Sequence, residues 1–251
     1  MKKLINLLLV IIAINTASCD VVETEKIRSF VVSYIEIDSV RLDTDTGYGI
    51  RIGRKDYDNS NDWVNWKSAG DDKVKYDALC SKHNDMGYFK KVSYIAGPFS
   101  GHYFMDGIYS IDVVSDKTFD SSHPAGVSLK DIVRFCSASP APFIQSGYKS
   151  SYDWSIVPEG FKKAGEFIIL PPSENNLHNG FDYVENYPID DLLVNLIPEK
   201  LELVGLGNGL TIGILMFESN PDLVPATHRF TVKLTTNTGK TLTADIDYKF
   251  K

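Results

Sequence analysis

Residues 227–250 read THRFTVKLTTNTGKTLTADIDYKF, and this stretch decides the fold class. Apolar residues alternate on both sides of a turn: Phe230, Val232 and Leu234 before it, Leu242, Ala244, Ile246 and Tyr248 after it. Successive side chains of a strand point to opposite faces, so a period of two marks a strand with one buried face. Asn237-Thr238-Gly239 lies between the halves and supplies a glycine for positive φ. The stretch predicts a β-hairpin with one apolar face. Just upstream, residues 210–217 (LTIGILMF) are apolar without alternation, the pattern of a strand buried on both faces.

Working outward, residues 30–42, 47–53, 88–94, 107–114, 167–170 and 201–204 read as further strands, rich in Val, Ile, Tyr and Phe. Two short helices are predicted. In residues 128–135 (SLKDIVRF), Leu129, Ile132 and Val133 recur at helical spacing behind Ser128 as N-cap. Residues 189–197 (IDDLLVNLI) form the other, stopped by Pro198. Residues 138–160 read as irregular, and residues 55–75 as a long polar surface excursion, a kind of loop that is uncommon and often functional. The expectation is a mainly β chain, an antiparallel β-sandwich (Ig-like or related) with a few short helices, forming a single β-rich domain over residues 30–251.

The N-terminus has a different logic. Lys2 and Lys3 precede an apolar run from Leu4 to Ile14, broken only by Asn6, and small residues follow up to Cys19. That order is a secretory signal, and eleven residues fall short of the roughly twenty a membrane-spanning helix needs. Thr16-Ala17-Ser18-Cys19 resembles the lipobox of bacterial lipoproteins, with Thr16 where that signal usually has Leu. The resemblance implies a signal peptide over residues 1–18, palmitate-type acyl chains on Cys19, and a lipid-anchored tether over residues 19–29. Asp20 after the cysteine resembles the inner-membrane retention signal of some bacterial lipoproteins, while Asp20, Glu23 and Glu25 together resemble an outward export signal; the resemblance implies a cell-envelope protein, leaning to the outer membrane, with membrane and leaflet open.

Without Lys2 and Lys3 the chain holds 24 basic against 33 acidic residues, so nucleic acid is excluded as a partner on charge. With Cys19 lipidated, Cys80 and Cys136 remain, either as a disulfide in an oxidising compartment or as buried thiols. No cysteine or histidine spacing suggests a metal, and no glycine-rich loop stands in a nucleotide-binding setting, so no metal or cofactor is expected. Asp43 and Asp45 open a segment like a calcium loop, but the glycine and glutamate such a loop needs are missing. No nucleophile motif occurs, and Asp71-Asp72 and Asp190-Asp191 are adjacent acids of the kind usually left solvated.

Ile111, Val113, Ser115, Asp116, Lys117, Phe119, Asp120, Pro124, Ala125, Gly126, Ser128, Leu129 and Asp131 form a pattern that resembles a stretch of uncharacterised lipoproteins of Bacteroidetes-type bacteria. The resemblance implies location and a β-rich fold, and carries no catalytic residue. As chemistry, Asp116 and Asp120 suit turns that bond neighbouring N–H groups. The candidate ligand site is the polar excursion. Tyr57, Asn59, Asn61, Asp62, Trp63 and Trp66 combine flat rings with amide and carboxylate groups that suit sugars. The competing role for Trp63 and Trp66 is to anchor the segment to the domain. The expected function is a membrane-tethered, non-enzymatic binding or accessory module with a glycan or protein partner. The alternatives are an envelope hydrolase of glycans or peptides, and a subunit of an assembled surface structure.

The lipid is directly testable. In cells fed a labelled fatty acid, the wild-type chain takes up label and Cys19→Ala takes up none; equal labelling of the two would exclude Cys19 as the acylated residue.

Overall fold

The computed structural model describes residues 24–44, 49–54, 63–93, 102–163, 185–206, 211–222 and 226–250. In chain order the strands are β1 (Thr24–Ile27), β2 (Ser33–Ile35), β3 (Arg41–Asp43), β4 (Ile50–Gly53), β5 (Trp63–Asn65), β6 (Lys90–Ser93), β7 (His102–Phe104), β8 (Ile108–Ser115), β9 (Val133–Ser139), β10 (Tyr187–Leu192), β11 (Thr211–Phe217), β12 (Ala226–Thr236) and β13 (Thr241–Phe250). The helices are α1 (Gly70–Lys82), α2 (Ala141–Gln145) and α3 (Glu159–Lys163), with 3-10 turns at Leu193–Asn195 and Pro198–Lys200.

The hairpin forms as its alternation requires. β12 and β13 pair antiparallel, with Phe230 opposite Ile246 and Leu234 opposite Leu242. Gly239 takes φ +85° in the turn, and Thr236 N–H donates to Lys240 O at 2.8 Å to close it. β8 pairs along the other side of β12, completing the sheet β13-β12-β8. A larger sheet, β10-β9-β11-β4-β3, lies across from it. Between them Ile111, Val113, Phe230, Val232 and Leu234 meet Ile50, Ile52, Phe135 and Leu215 in one core. This is the sandwich the sequence predicts.

β11 is buried at five consecutive positions, 212–216. Ile212 and Leu215 face the inter-sheet core, while Ile214 and Met216 join Cys136, Ala138, Trp154 and Phe161 on the opposite face. The segment carrying Trp154 and α3 thus covers the far side of the large sheet. Gly213 is required here, because a Cβ at that position would lie 2.2 Å from the Phe135 ring.

A third sheet, β5-β2-β7, closes one end and departs from the antiparallel rule, since β2 and β7 run parallel. Ile35 and Phe104 enter the inter-sheet core, and Tyr34, Val64 and Tyr103 enter a second core with Tyr76 and Cys80 of α1. Asp85 lies at the base of that core, fully buried. Its carboxylate accepts Phe30 N–H at 2.7 Å, Val31 N–H at 2.8 Å and Tyr148 O–H at 2.8 Å. Burial pushes its carboxyl above the usual carboxylate range despite these bonds.

Several local expectations give way to tertiary pairing. Residues 128–135 make a single turn, with Val133 N–H donating to Leu129 O, and then enter β9. Ser128 donates its hydroxyl to Asp112 Oδ1 at 2.6 Å instead of capping a helix, and Leu129 N–H pairs with Val113 O of β8. Residues 189–197 are not a helix either: residues up to Leu192 belong to β10, paired with β9, and only Leu193–Asn195 turn. Residues 201–204 form no strand but pack Leu201, Leu203 and Val204 into the cores. The excursion at 55–75 contains β5 and the start of α1, and residues 55–62 lie outside the described residues. Residues 24–27, read as tether, are the strand β1 paired with β6. The strand expected at 30–42 divides into β2 and β3, and the one expected at 167–170 lies outside the described residues.

Ile246 sits half-buried against the inter-sheet core. Ile246→Asp places an unpaired carboxylate there at a cost of about 2–3 kcal/mol, lowering Tm by roughly 5–10 °C. Thr243→Asp, on the exposed face of the same strand, leaves Tm within about 1–2 °C. Equal melting of both variants would mean the buried face is misassigned.

Candidate functional site

Of the candidate ligand segment, Tyr57, Asn59, Asn61 and Asp62 lie outside the described residues. Trp63 belongs to β5, opposite Ile35, and packs on the inter-sheet core with its ring 5.5 Å from that of His102. Trp66 follows in a turn fixed by its N–H to Val32 O and packs on the second core, with Lys67 Nζ 4.9 Å above its ring. Both half-buried rings anchor the chain, each into a different core.

Cys80 and Cys136 are free buried thiols in separate clusters, so the disulfide alternative does not form. Burial raises both thiols above the ordinary cysteine range. Asp43 is paired with Arg51, and Asp45 lies outside the described residues. Asp71 and Asp72 stand exposed in the first turn of α1, where the helix dipole favours acids. Among the described residues no three of His, Cys, Asp and Glu converge in a way that would hold a metal ion.

The cleft with binding geometry lies elsewhere, along β10. This strand is an edge of the large sheet, which is why it tolerates Pro188. After Leu192 the two 3-10 turns fold the chain back, tied by Val194 N–H to Lys130 O and Leu201 N–H to Pro198 O. The space left between β10, α2 and these turns is about 490 Å³. Pro142, Pro188, Ile189, Leu196, Ile197 and Leu201 wall it; Gln145, Asp191, Asn195 and Lys200 supply its polar groups; Tyr187 is the one aromatic in the lining.

Its acids are already engaged. Asp190 Oδ1 accepts Arg134 Nη1 at 2.9 Å and the Cys136 thiol at 3.3 Å, and Oδ2 accepts Gly160 N–H at 2.7 Å. Arg134 is held from its other side by Glu218 at 2.6 Å. Asp191 Oδ1 accepts Leu192 N–H at 2.8 Å and Asn195 Nδ2 at 3.0 Å. The Tyr187 hydroxyl shares a 2.6 Å hydrogen bond with Ser150. Lys200 is exposed and has no ion-pair partner among the described residues.

Two histidine constellations escape sequence spacing: His228 meets Ser115 from a separate strand, and His123 lies inside the lipoprotein-like pattern without being part of it. Ser115 Oγ lies 2.8 Å from His228 Nδ1. Both residues are at most 3% exposed, and the imidazole stacks on Phe230 with Phe119 and Phe250 around it. Burial lowers the His228 pKa, which favours the neutral ring, and a single hydrogen bond joins it to the serine hydroxyl. Ser115 has no route to a substrate, and the pair locks β8 to β12.

His123 is the second. Its Nδ1 meets Asp120 Oδ1 at 2.7 Å and its Nε2 meets Asp131 Oδ1 at 2.9 Å. Asp120 Oδ1 also accepts the N–H groups of Ser122 and His123, as a turn aspartate should. Asp116 differs, accepting Arg229 N–H across from β12. The lipoprotein-like stretch is therefore a loop held onto the sandwich, with Phe119 buried against Phe217 and Phe250.

Both His123 nitrogens donate only in the imidazolium form. Burial opposes that charge, but the hydrogen bonds to Asp131 and Asp120 outweigh it, and the His123 pKa is raised above its ordinary 6.5. A raised histidine pKa gives stability that is complete below 6.5 and lost as pH rises through the folded-state value. His123→Gln should therefore destabilise the protein more in denaturant titrations below pH 6.5 than at alkaline pH. A stability loss that is the same at both ends would refute the clasp.

Compared with known proteins, the chain matches no family model, no curated protein and no solved structure.

Proposed function

We propose that this chain is a non-enzymatic accessory module of a bacterial cell envelope, held on the outer membrane by lipid at Cys19, and that it binds a partner in the β10 cleft. The observation that carries the reading is the engagement of the cleft's acids. Asp190 has both oxygens taken, by Arg134, Cys136 and Gly160, and Asp191 has Oδ1 held by Leu192 and Asn195. A paired-acid mechanism needs two carboxyls that reach the substrate, and of this pair the exposed Asp191 keeps one open oxygen while Asp190 keeps none. What remains is an open apolar cleft with a polar rim, the composition of a binding site.

The walls favour one ligand chemistry. Sugars bind to exposed flat rings, and among the described lining residues the one ring is Tyr187, with its hydroxyl tied to Ser150. Aliphatic and proline walls suit the apolar side chains of a peptide segment, with Lys200, Asn195 and Gln145 left for its backbone and charges. Val194, exposed and next in sequence to the lining residue Asn195, extends the apolar surface. The competing hydrolase reading has one specific observation in its favour, the Ser115–His228 pair, and its burial counts against it.

Thermal-shift titration of the purified protein with short apolar peptides and with glycans tests this. A peptide should raise Tm for the wild type and not for Lys200→Glu or Ile197→Asp, while chromogenic glycoside and peptide substrates show no turnover. Turnover abolished by Ser115→Ala or Asp190→Asn would establish an enzyme. Ligand binding unchanged in both cleft variants would place the site elsewhere.

A further inference from the structure

The face carrying β1 holds a second surface, defined by residues 86–89. Met86 is 45% exposed and Phe89 is 59% exposed. Single apolar residues on a surface need no explanation. These two differ because their base is rigid. Asp85, just before them, is fully buried and fixed by three hydrogen bonds. Gly87 N–H donates to the Tyr148 hydroxyl at 3.2 Å, and Tyr88 N–H to Arg28 O at 2.9 Å. The Tyr88 ring packs edge-on against Phe30 at 5.2 Å and near Tyr148 at 5.2 Å. Phe89 itself has φ +53°, a left-handed backbone that a bulky residue rarely adopts. The fold thus holds Met86 and Phe89 outward.

The same corner begins the ribbon of β1 and β6, where Ile27 pairs with Lys90 and Thr24 with Ser93. In sequence, residues 24–28 and 89–93 contain Lys26, Arg28, Lys90 and Lys91 against one acid, Glu25, in a chain of formal charge −7. The described Arg28 is exposed beside the corner. Four residues lie between Cys19 and Thr24, and the five Cα steps span at most about 18 Å when fully extended. A domain on so short a leash keeps this face near whatever holds its cysteine. Exposed apolar tips beside an exposed arginine, on a stretch of sequence rich in lysine, are what an interfacial lipid contact uses, the apolar groups entering the headgroup layer and cations meeting anionic lipid.

We infer that residues 86–89 and the β1–β6 ribbon form a membrane-docking face that seats the domain on an anionic phospholipid surface. The inference rests on the acylation of Cys19 proposed above.

The test uses the full lipidated chain, extracted from membranes and reconstituted into phosphatidylcholine–phosphatidylglycerol vesicles in which the phosphatidylcholine acyl chains are brominated. Phe89→Trp introduces a reporter at the corner, and Tyr109→Trp one on the exposed face of β8. Emission from Phe89→Trp should be lost to bromine quenching and that from Tyr109→Trp retained, and the quenching should weaken in pure phosphatidylcholine or high salt. Equal emission from the two reporters, with lipid on Cys19 verified by intact mass, overturns the docking face alone. Quenching that persists unchanged in pure phosphatidylcholine overturns its anionic preference. A chain without lipid on Cys19 overturns the anchoring reading and this one with it.

Discussion

Strand β11 has no face left for water, and the rest of the domain is arranged around that constraint. Five consecutive buried residues in a strand demand apolar cover on both sides of the sheet. On one side the cover is the hairpin sheet, whose Phe230, Val232 and Leu234 close the main core. On the other it is the irregular segment carrying Trp154 and Phe161, which would have little reason to fold without Ile214 and Met216 to cover. Gly213 makes the arrangement possible by giving the Phe135 ring the space of a side chain. The adjacent register irregularity between Thr211 and Gly213 is where that accommodation shows in the backbone.

The second theme is the use of acids as staples. An acidic protein has many carboxylates, and several of them tie segments of this fold together. Asp85 fixes the chain entering the second core, Asp190 joins β10 to β9 and α3, and Asp120 with Asp131 holds His123 between them. A buried carboxylate left unsatisfied would cost several kcal/mol, and Asp85 and Asp190, the most buried of these, each have three donors. Asp131 stays largely exposed and accepts from the His123 ring. The β10 cleft keeps an apolar interior, with Lys200 uncommitted among the described residues.

Where periodicity and burial coincide, the sequence was legible. The hairpin followed from strict alternation, and β11 from an unbroken apolar run, because in each the local pattern and the tertiary environment agree. Residues 128–135 and 189–197 were misread because helical spacing over eight or nine residues is also what a turn followed by a strand produces. Pairing with β8 and β9 then decided the outcome. Helix α1 escaped notice because only Tyr76 and Cys80 of its residues are buried, so it has almost no apolar stripe. Its charges carried the usable signal: Asp71 and Asp72 at the start, Lys82 at the end, and a Lys73–Asp77 pair four residues apart. The cleft could not be read at all, since its walls come from residues 139–145 and 187–201, brought together only by the β9–β10 pairing.

The exposed strand edges bear on whether such a domain assembles with its own kind. β13 is ten residues long and ends its sheet, a form that invites pairing with another strand. Its outward positions are Thr241, Thr243, Asp245, Asp247 and Lys249, and Asp245 is already engaged with Arg229 and Thr231. Charged residues along an edge oppose a second strand by desolvation and repulsion. β3, the corresponding edge of the large sheet, is only three residues long and packs beside β13. β10 contains Pro188, which lacks a donor, and its Leu192 N–H is taken by Asp191. Among the described residues, three of the four edges of the two sandwich sheets are thus short, charged or missing a donor, and the fourth, β8, gives its Ile108 N–H to Leu201 and its Val113 carbonyl to Leu129. Backbone pairing with a partner is therefore disfavoured on these edges, and side-chain contacts in the cleft and at the Met86–Phe89 corner are what the surface offers instead.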